Sequence, residues 1–375
     1  MFHPTRHCTW FLLCCCLLVT CYLQDTLLFA ASTTAPTSRN VSATKTSPDR
    51  TKMRRRAVRR GFAWIKKYIE KHWKVLSTDG LCVLAELAVN DDIELKKQVI
   101  TFGQQIAKRL ITIFLEEDGI EDKDDLLEAI EVLGYADVLQ YDTSKLLAKV
   151  KKELVTYNTA KKLLGVSLSE LPTLSGEPLY DLLIDTYTLE RASAHLSLNL
   201  RRSVTLHHVL RLLRQRTYLS FDQDKDPDKE NAEDSAYLAT HVVFVMNNYG
   251  QLRLPPSALP KVYPYVRRNF HVGLQNKDVE LLAEFLDVLR TVGFDETNDK
   301  MVAQGTAFLL RTQKQDGSWG DWEQEKDPYD ALHYTWCGVL GLRGRGFLKG
   351  TKFGHYIKRT LHKLQSPTTR RAAKR

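Results

Sequence analysis

The sequence predicts an all-α protein, and three observations support this fold class. From Gly61 to residue 364, apolar residues recur at intervals of three and four, which places them on one face of a helix. Runs of alternating β-branched residues, which indicate strands, are almost lacking in this stretch. Glycine, proline and Asp-Gly pairs separate the periodic segments, as the turns between helices require.

These segments predict thirteen helices, which span residues 61–75, 79–89, 92–116, 122–134, 143–157, 177–193, 204–217, 234–249, 258–272, 277–292, 297–312, 329–342 and 351–364. Only an acidic loop at 222–233 interrupts residues 61–364, so one continuous domain is expected. The loop has acids at the spacing of calcium ligands. Pro227, however, stands where a calcium loop requires glycine, which favours a solvated loop.

The positive charge of the chain lies at its two ends. The formal net charge of the 375 residues is +9, whereas residues 1–60 carry +8 and residues 366–375 carry +4. The body between them is therefore slightly acidic. A basic isoelectric point that arises from the ends does not indicate a nucleic-acid-binding protein, and no nucleic-acid partner is expected.

Residues 1–31 are expected to act as a signal peptide or a signal anchor. Arg6 precedes an uncharged apolar run over residues 8–23, and small residues follow at 30–32. We favour cleavage, because the run is shorter than the ~20 residues of a spanning helix. The alternative is an uncleaved anchor, which would give a type II membrane protein. Both alternatives place the body in the secretory pathway.

Cysteine is rare in the predicted helical body. Five of the seven cysteines lie in the leader, which leaves Cys82 and Cys337. These two residues could form a bridge in an oxidising compartment or remain as two buried thiols.

Residues 32–60 are expected to form an exposed segment before the helical body. Residues 32–48 are rich in Ser, Thr and Pro and include a glycosylation sequon at Asn40. Residues 52–60 are basic and predict either a solvated linker or the end of a propeptide. A basic tail is expected at 365–375.

Two segments of the predicted helical body resemble one another. Residues 125–135 and 280–294 both place a Leu-Leu pair and an acid ahead of a helix that ends in glycine and an aromatic residue. A repeat of helical hairpins is typical of a solenoid or a closed ring.

Residues 303–342 read as helix, tight turn and helix. Gln313 ends an apolar helix, Asp316-Gly317 is a turn dipeptide in which glycine supplies the positive φ, and Trp319 precedes the next helix. This pattern resembles the Gln-Trp repeat of the terpenoid cyclase and protein prenyltransferase superfamily. The resemblance implies an α/α toroid, complete or partial, in which helical hairpins form a ring around a central cavity.

In this interpretation, the turn fastens one hairpin on the outside of the ring. The Gln313 amide would bond the next helix while Trp319 lies flat against it. The resemblance covers about 40 residues. The Asp-x-Cys pair of the prenyltransferase zinc site and the thioester signature of complement-type toroids are lacking, so the resemblance implies the fold rather than these activities.

One predicted inner helix, residues 234–249, carries polar residues on an otherwise apolar face. Asp234, Tyr237, His241 and Asn248 are spaced i, i+3, i+7 and i+14. A histidine beside a carboxylate and a phenol can act as a general acid or base near neutral pH. The alternative is a core histidine with a capping aspartate and a packed tyrosine.

A second set lies on helix 329–342. Asp330, His333 and Cys337 are spaced i, i+3 and i+7, and they are residue types that bind zinc. Three ligands from one helix make a strained tetrahedral site, so a packed core histidine is again the alternative. The resemblance places the prenyltransferase zinc histidine one residue later, at Tyr334.

The resemblance and these two sets predict a secretory-pathway α/α-toroid enzyme. It would act by acid/base chemistry on a lipid-like, peptide or other small-molecule substrate in a central cavity, with zinc as a candidate cofactor. One alternative is a non-catalytic secreted or lumenal binding protein on the same scaffold. Another is a polysaccharide lyase, whose Asn and Tyr sites are vaguely similar to residues 247–250. The deciding observation is whether His241 and His333 face one cavity.

Overall fold

The computed structural model of the chain describes residues 48–157, 160–196, 204–223, 232–346 and 352–365. All of them belong to one compact unit, Thr46–Arg375. These ranges are helical and contain no strand, which confirms the all-α class. The leader, the glycosylation sequon, most of the acidic loop and nearly all of the basic tail lie outside the described residues. Within those ranges, no helix has the length and apolar character needed to cross a bilayer.

The described ranges contain fourteen α-helices, and each of the thirteen predicted helices corresponds to one of them. Their bounds are α1 Pro48–Lys71, α2 Ser77–Leu87, α3 Ile93–Leu115, α4 Lys123–Val138, α5 Ser144–Glu153, α6 Ala160–Leu164, α7 Gly176–Leu196, α8 Leu206–Gln215, α9 Ala232–Met246, α10 Val262–Asn276, α11 Val279–Thr291, α12 Lys300–Thr312, α13 Pro328–Leu342 and α14 Lys352–Gln365. The five-residue helix α6 was not predicted.

Six helices contact one another in a closed cycle, and we call them the inner helices. Helix α2 packs against α4, α4 against α7, α7 against α9, α9 against α11, α11 against α13, and α13 against α2. Helices α1, α3, α5, α8, α10 and α12 each pack against one or more inner helices. The two groups differ in composition: all residues of α11 except Glu280 are buried, whereas α5 buries only Leu146 and Val150. A helix that is buried on nearly every side, as α11 is, has neighbours on nearly every side.

Residues 48–60 are part of the helical body, so residues 52–60 are not a solvated linker, and the predicted end of a propeptide stays a prediction. They form the first half of α1, where Ala57 and Val58 are buried. The arginines face acids that are distant in sequence: Arg59 donates two hydrogen bonds of 2.8 Å to the Asp92 carboxylate. The basic residues of this segment suggested exposure to solvent, but ion pairs with acids distant in sequence attach the segment to the helical body.

The turn after α12 joins α1 to α13. Trp319 is fully buried, and its indole Nε1 donates to the Leu309 carbonyl at 2.8 Å. Glycines face its ring from both helices, since a Cβ atom would lie 2.9 Å from Trp319 Cζ3 at Gly61 and 2.7 Å from Cδ2 at Gly338. Any side chain at these positions would displace the indole.

Gln313 reaches α1 rather than the following helix. Its Nε2 donates to the carbonyl oxygens of Ala57 at 2.8 Å and Gly317 at 2.9 Å. Arg60 donates to the Lys314 carbonyl at 2.5 Å. The predicted positive φ of Gly317 is confirmed at 102°. The turn therefore joins α1 to α12 and α13, a larger role than fastening one hairpin.

A buried ion-pair network makes a second connection, between α1 and the helices α11 and α12. Glu296 lies 3.1 Å from Arg54 Nη1 and 2.8 Å from Arg290 Nη2. Arg290 also donates to Thr306 Oγ1 at 2.7 Å, so the network spans α1, α11 and α12. Burial opposes the charged carboxylate, but Arg290 and Arg54 lower the pKa of Glu296 to about 2.

The two similar segments, residues 125–135 and 280–294, are the inner helices α4 and α11 with their flanking residues. Gly134 does not end α4, as predicted, because the helix continues to Val138. Arg191 explains the glycine: its guanidinium lies against Gly134 and donates to the Gly134 carbonyl, and a Cβ atom there would lie 3.3 Å from Arg191 Cζ.

We expect Trp319→Ala to reduce the free energy of unfolding by about 3–5 kcal/mol, because it removes a fully buried indole from between two helices. Urea unfolding followed by circular dichroism measures the change. The control is Trp73→Ala, since Trp73 is only half-buried and should cost less. Equal losses in the two variants would contradict a closing role for Trp319.

We expect Glu296→Gln to change the pH dependence of unfolding. The folded pKa of about 2 lies below the unfolded value of about 4.3, so the ion pairs contribute stability that is present above pH 4.3 and lost as the pH falls toward 2. The wild-type protein should therefore exceed Glu296→Gln in stability at pH 7 and approach it at pH 2. Urea unfolding at several pH values checks this, and a constant difference would contradict it.

Candidate functional site

The inner helices enclose a cavity of about 180 Å³, and all six of them contribute to its wall. The lining combines acids, aromatic rings, two histidines and two thiols: Thr78, Asp79, Cys82, Glu86, Glu131, Tyr135, Tyr180, Ile184, His241, Phe244, Tyr249, Glu284, Asp287, Tyr329, His333, Trp336, Cys337 and Leu340. His241 and His333 therefore face the same cavity.

Two arginines cover the cavity at the carboxyl ends of α2, α9 and α11. Arg343 donates to the Glu86 carbonyl at 2.6 Å, and Arg345 donates to the Asp287 carbonyl at 2.6 Å and pairs with its carboxylate. Gly250, with φ at 90°, leaves space for the Arg343 guanidinium. These contacts satisfy carbonyls that the ends of helices leave without partners.

The opposite end of the cavity is open to solvent. Thr78 and Asp79 in the first turn of α2, Tyr180 near the start of α7 and Tyr329 at the start of α13 are only half-buried. Glu86 and Asp287, near the carboxyl ends of their helices, are buried. A ligand would therefore enter past the amino-terminal ends of the inner helices.

Three lining residues form a group that could hold a metal ion. One ligand atom each from Glu284, His333 and Cys337 lies within 4.8 Å of the others. Cys337 Sγ is 3.5 Å from His333 Nε2 and 4.0 Å from Glu284 Oε1. Sulfur and nitrogen ligands of a tetrahedral zinc ion lie roughly 3.5 Å apart, so the thiol and imidazole already have the required separation.

Neighbouring groups orient two of these ligands. His333 Nδ1 lies 2.6 Å from Glu280 Oε1, and Cys337 Sγ lies 3.5 Å from His333 Nε2 and 3.9 Å from Nδ1. Thr240 Oγ1 donates to Glu284 Oε2 at 2.5 Å, which leaves Oε1 on the thiol side. A carboxylate on the far nitrogen of a histidine is the usual outer contact of a zinc ligand.

The protonation of this group argues against a free thiol nucleophile. Thiol, imidazole and carboxylate also line up in Cys337, His333 and Glu280, as for an activated cysteine. Burial, however, raises the pKa of Cys337 to about 12, so it is a neutral thiol at pH 7. Burial likewise raises the pKa of Glu284 to about 8. A divalent ion deprotonates such ligands on binding.

His241 is a neutral base that faces the same cavity. Its Nδ1–H donates to the Tyr237 carbonyl at 2.9 Å, so Nε2 carries the lone pair. Burial, with a smaller effect from His333, lowers the pKa of His241 to about 4. The predicted partners, Asp234 and Tyr237, do not hold the His241 imidazole in its protonated form, and their side chains are not among those that line the cavity.

Asn248 and Asp330 also lie away from the cavity wall. Helix α9 ends at Met246, and Asn248 follows in a left-handed conformation with φ at 53°, which breaks the predicted i+14 relation. Its Oδ1 accepts from the Tyr187 hydroxyl at 2.7 Å. Asp330 is half-buried on α13 but does not belong to the metal-binding group, where Glu284 of α11 lies instead.

Two acids of this site, Glu284 and Glu86, were not predicted. Trp336 Nε1 donates to Glu86 Oε2 at 2.9 Å, and burial raises the pKa of Glu86 to about 7. Each acid stands within an apolar run, Leu-Ala-Glu-Phe-Leu and Leu-Ala-Glu-Leu-Ala. The single acid within each apolar run could have identified these residues from the sequence, because a buried charge requires a partner or a function.

Cys82 and the acid run at the start of α4 lie outside the metal-binding group. Cys82 and Cys337 are both free and buried, so the bridge is not present in the structure. The acid run over residues 122–125, Asp-Lys-Asp-Asp, does not line the cavity. Asp122 and Asp125 form the capping box of α4.

Comparison with protein-family models, with curated proteins and with solved structures yields no match to this chain. The site is therefore interpreted from its own geometry.

We expect the purified protein to bind about one zinc ion per chain, because three ligands and their outer contacts are in place. Metal analysis should show the ion in the wild type and its loss in Cys337→Ser and His333→Ala. Cobalt substitution should give a thiolate charge-transfer absorption that Cys337→Ser abolishes.

The control for this experiment is Cys82→Ser, since Cys82 lies in the same cavity outside the ligand group. It should keep the metal and the absorption. A wild-type protein that binds neither zinc nor cobalt would remove the metal assignment.

Proposed function

We propose that this protein is an α/α-toroid enzyme with a zinc-dependent site in its central cavity. The observation that carries the proposal is the convergence of Glu284, His333 and Cys337 on one point of a cavity that His241 also lines. Three protein ligands are characteristic of catalytic zinc sites, whereas structural sites have four.

The packing of the helices supports the toroid. Six helices of the chain form the closed cycle and line the cavity, and α1, α3, α5, α8, α10 and α12 pack around them. The Gln-Trp turn, which resembles that of the terpenoid cyclase and protein prenyltransferase superfamily, lies where α1 meets α12 and α13. A ring of hairpins requires such a closing contact.

Zinc at these residues would supply a Lewis acid and lower the pKa of a bound water or substrate thiol. Cys337 and Glu284 would bind it as anions, and Glu280 would hold His333 with Nε2 toward the ion. The fourth coordination position remains for water or substrate.

Two further groups of the chain can move protons in this cavity. His241 presents an unprotonated Nε2 at neutral pH, so it can accept a proton. Glu86, with its pKa near 7 and its carboxylate held by Trp336, can donate or accept one. A base and an acid in one cavity support proton transfer to and from a bound substrate.

We propose a lipid-like or peptide substrate, because aromatic rings form much of the wall. The secretory pathway is the proposed location, on the basis of the leader sequence. A non-catalytic binding protein is the competing proposal. The lyase alternative has less support, because Asn248 bonds Tyr187 away from the cavity.

We expect His241→Ala and His333→Ala each to reduce turnover at least about 100-fold, as the loss of a general base or a metal ligand does. Untargeted mass spectrometry of lipid and peptide extracts incubated with wild type would reveal consumed and formed species. The variants should leave the same extracts unchanged.

The matched control is His271→Ala, since His271 is exposed on α10. It should keep wild-type turnover. If both cavity variants fold and retain turnover, the assignment of the acid/base and zinc chemistry to this cavity fails. Binding of an extract component without its conversion would support the binding protein instead.

A further inference from the structure

We propose that the exposed side of helix α1 binds a sulfated polysaccharide. No residue of α1 lines the cavity, so the inference depends neither on the zinc site nor on turnover. It rests on the charge of α1, on the cations that stay without an acid partner there, and on the proposed secretory location.

The positive charge of the helical body is concentrated in α1. Ten of the 24 residues of this helix are Lys or Arg, and two are acidic. Residues 72–365 together carry a net charge of −5. A strongly basic helix on an otherwise acidic body attracts a polyanion to that side of the protein and orients it there.

Part of this charge is used within the fold. Four arginines of α1 have partners: Arg54 with Glu296, Arg55 with Asp91, Arg59 with Asp92, and Arg60 with the carbonyls of Lys314 and Gln315. Five other cations of the helix are exposed, and none of them pairs with an acid of the described ranges: Lys52, Arg56, Lys66, Lys67 and Lys71. We call these five residues the basic face.

The basic face is long and lies on one side of the helix. Counted from Lys52, its other members stand 4, 14, 15 and 19 positions along the chain. At 3.6 residues per turn and 1.5 Å per residue, they fall within about 140° of the helix circumference and extend over about 29 Å. Glu70 is the one acid of α1 on this side. A single small anion could contact only one or two of these cations, whereas an extended polyanion could contact all of them.

Helix α3 continues this surface. The Lys66 ammonium lies 5.1 Å from the ring centroid of Phe102, and the Arg109 guanidinium lies 5.4 Å from that of Trp73, so α3 runs beside the second half of α1. Arg109 is exposed and adds a further cation. The sequence has no acid over residues 95–115. A polyanion on α1 would therefore meet little repulsion from α3.

The surface favours a soluble polyanion over a membrane or a single-stranded nucleic acid. A helix that binds a bilayer inserts an exposed apolar face, but among the large apolar side chains of α1 only Met53 is exposed, and Phe62 and Ile65 are buried. Single-stranded nucleic acids stack their bases on exposed aromatic rings, but Trp64 and Tyr68 of α1 are buried.

The chemistry of the cations and the proposed location select the partner. Ammonium and guanidinium groups form charge-assisted hydrogen bonds with sulfate oxygens as they do with phosphate. Segments rich in Lys and Arg are typical of heparin-binding patches as well as of nucleic-acid-binding ones. Sulfated polysaccharides are the abundant polyanions outside the cell, where a secreted protein would meet them.

The test compares heparin with hyaluronan, a polysaccharide that has carboxylates and no sulfate. Titration calorimetry on the full chain should show heparin binding at least about tenfold more tightly, and added salt should weaken the binding because it screens exposed charges. Equal affinities would overturn the proposal. Tighter binding of duplex DNA would assign a nucleic acid instead, and binding only to vesicles of phosphatidylserine and phosphatidylcholine would assign a membrane.

Variants locate the binding on α1. Lys52→Gln/Arg56→Gln and Lys67→Gln/Lys71→Gln, at opposite ends of the basic face, should each weaken heparin binding about fivefold. Exposed substitutions of this kind cost little stability, which circular dichroism checks. The matched control is Lys358→Gln/Arg359→Gln, which removes the same charge from exposed positions of α14 and should leave the affinity unchanged.

Equal weakening in all three double variants would show that binding follows net charge alone and would overturn the proposal. Unchanged binding in both α1 variants would place the polyanion elsewhere, such as on the basic tail, and would also overturn it.

The outcome is separable from that of the proposed function. Both α1 variants should keep zinc and turnover, and Cys337→Ser should lose zinc but keep heparin binding. A zinc enzyme that does not bind heparin would contradict the polysaccharide site only. A heparin-binding protein without zinc would contradict the metal site only.

Discussion

The burial of Trp319 between α1 and α13 is the contact on which the rest of the structure depends. The cycle of inner helices closes where α13 meets α2, and α1, which precedes α2 in the chain, also packs against α13; we call this junction of α1 and α2 with α13 the seam. Here an indole without solvent exposure fills the seam, two glycines admit it, and Gln313 and Arg60 add hydrogen bonds across it. The cavity depends on this seam because its walls cross it: Trp336 of α13 donates to Glu86 of α2. Without closure, His333 and Cys337 would have no opposite wall.

Burial of polar groups in the inner helices costs free energy, and the groups at the covered end of the cavity are better paired than those in its middle. At the covered end of the cavity, arginines match Asp287 and the helix carbonyls, so charge there is balanced. Toward the middle, Glu284 and Glu86 have a hydroxyl and an indole as hydrogen-bond donors, and their pKa values rise toward neutrality. Groups that hold a proton weakly at pH 7 are a poor choice for stability alone. Because both groups lie in one cavity, they are candidates for proton transfer there.

The helices and part of the candidate site could be predicted from the sequence. Periodicity found thirteen helices, and the Asp-Gly dipeptide identified the turn at Gly317. His241, His333 and Cys337 were recognised because each is a polar residue on an apolar helix. Partners from other helices could not be found this way, since Glu284 reaches the group only through the packing of α11 on α13. Asn248 was placed on the wrong face because the end of α9 at Met246 was not visible in the pattern.

The seam also sets a condition on how the chain can fold. The Gln313 amide and the Ala57 carbonyl that it bonds are 256 positions apart. At synthesis rates of about 5–20 residues per second, α1 emerges roughly 13–50 s before its partner exists. During that interval α1 has neither α12 nor α13 to pack against. Contacts of such long range also slow folding after synthesis. Truncation from the carboxyl end ahead of α12 would leave α1 without both of these neighbours.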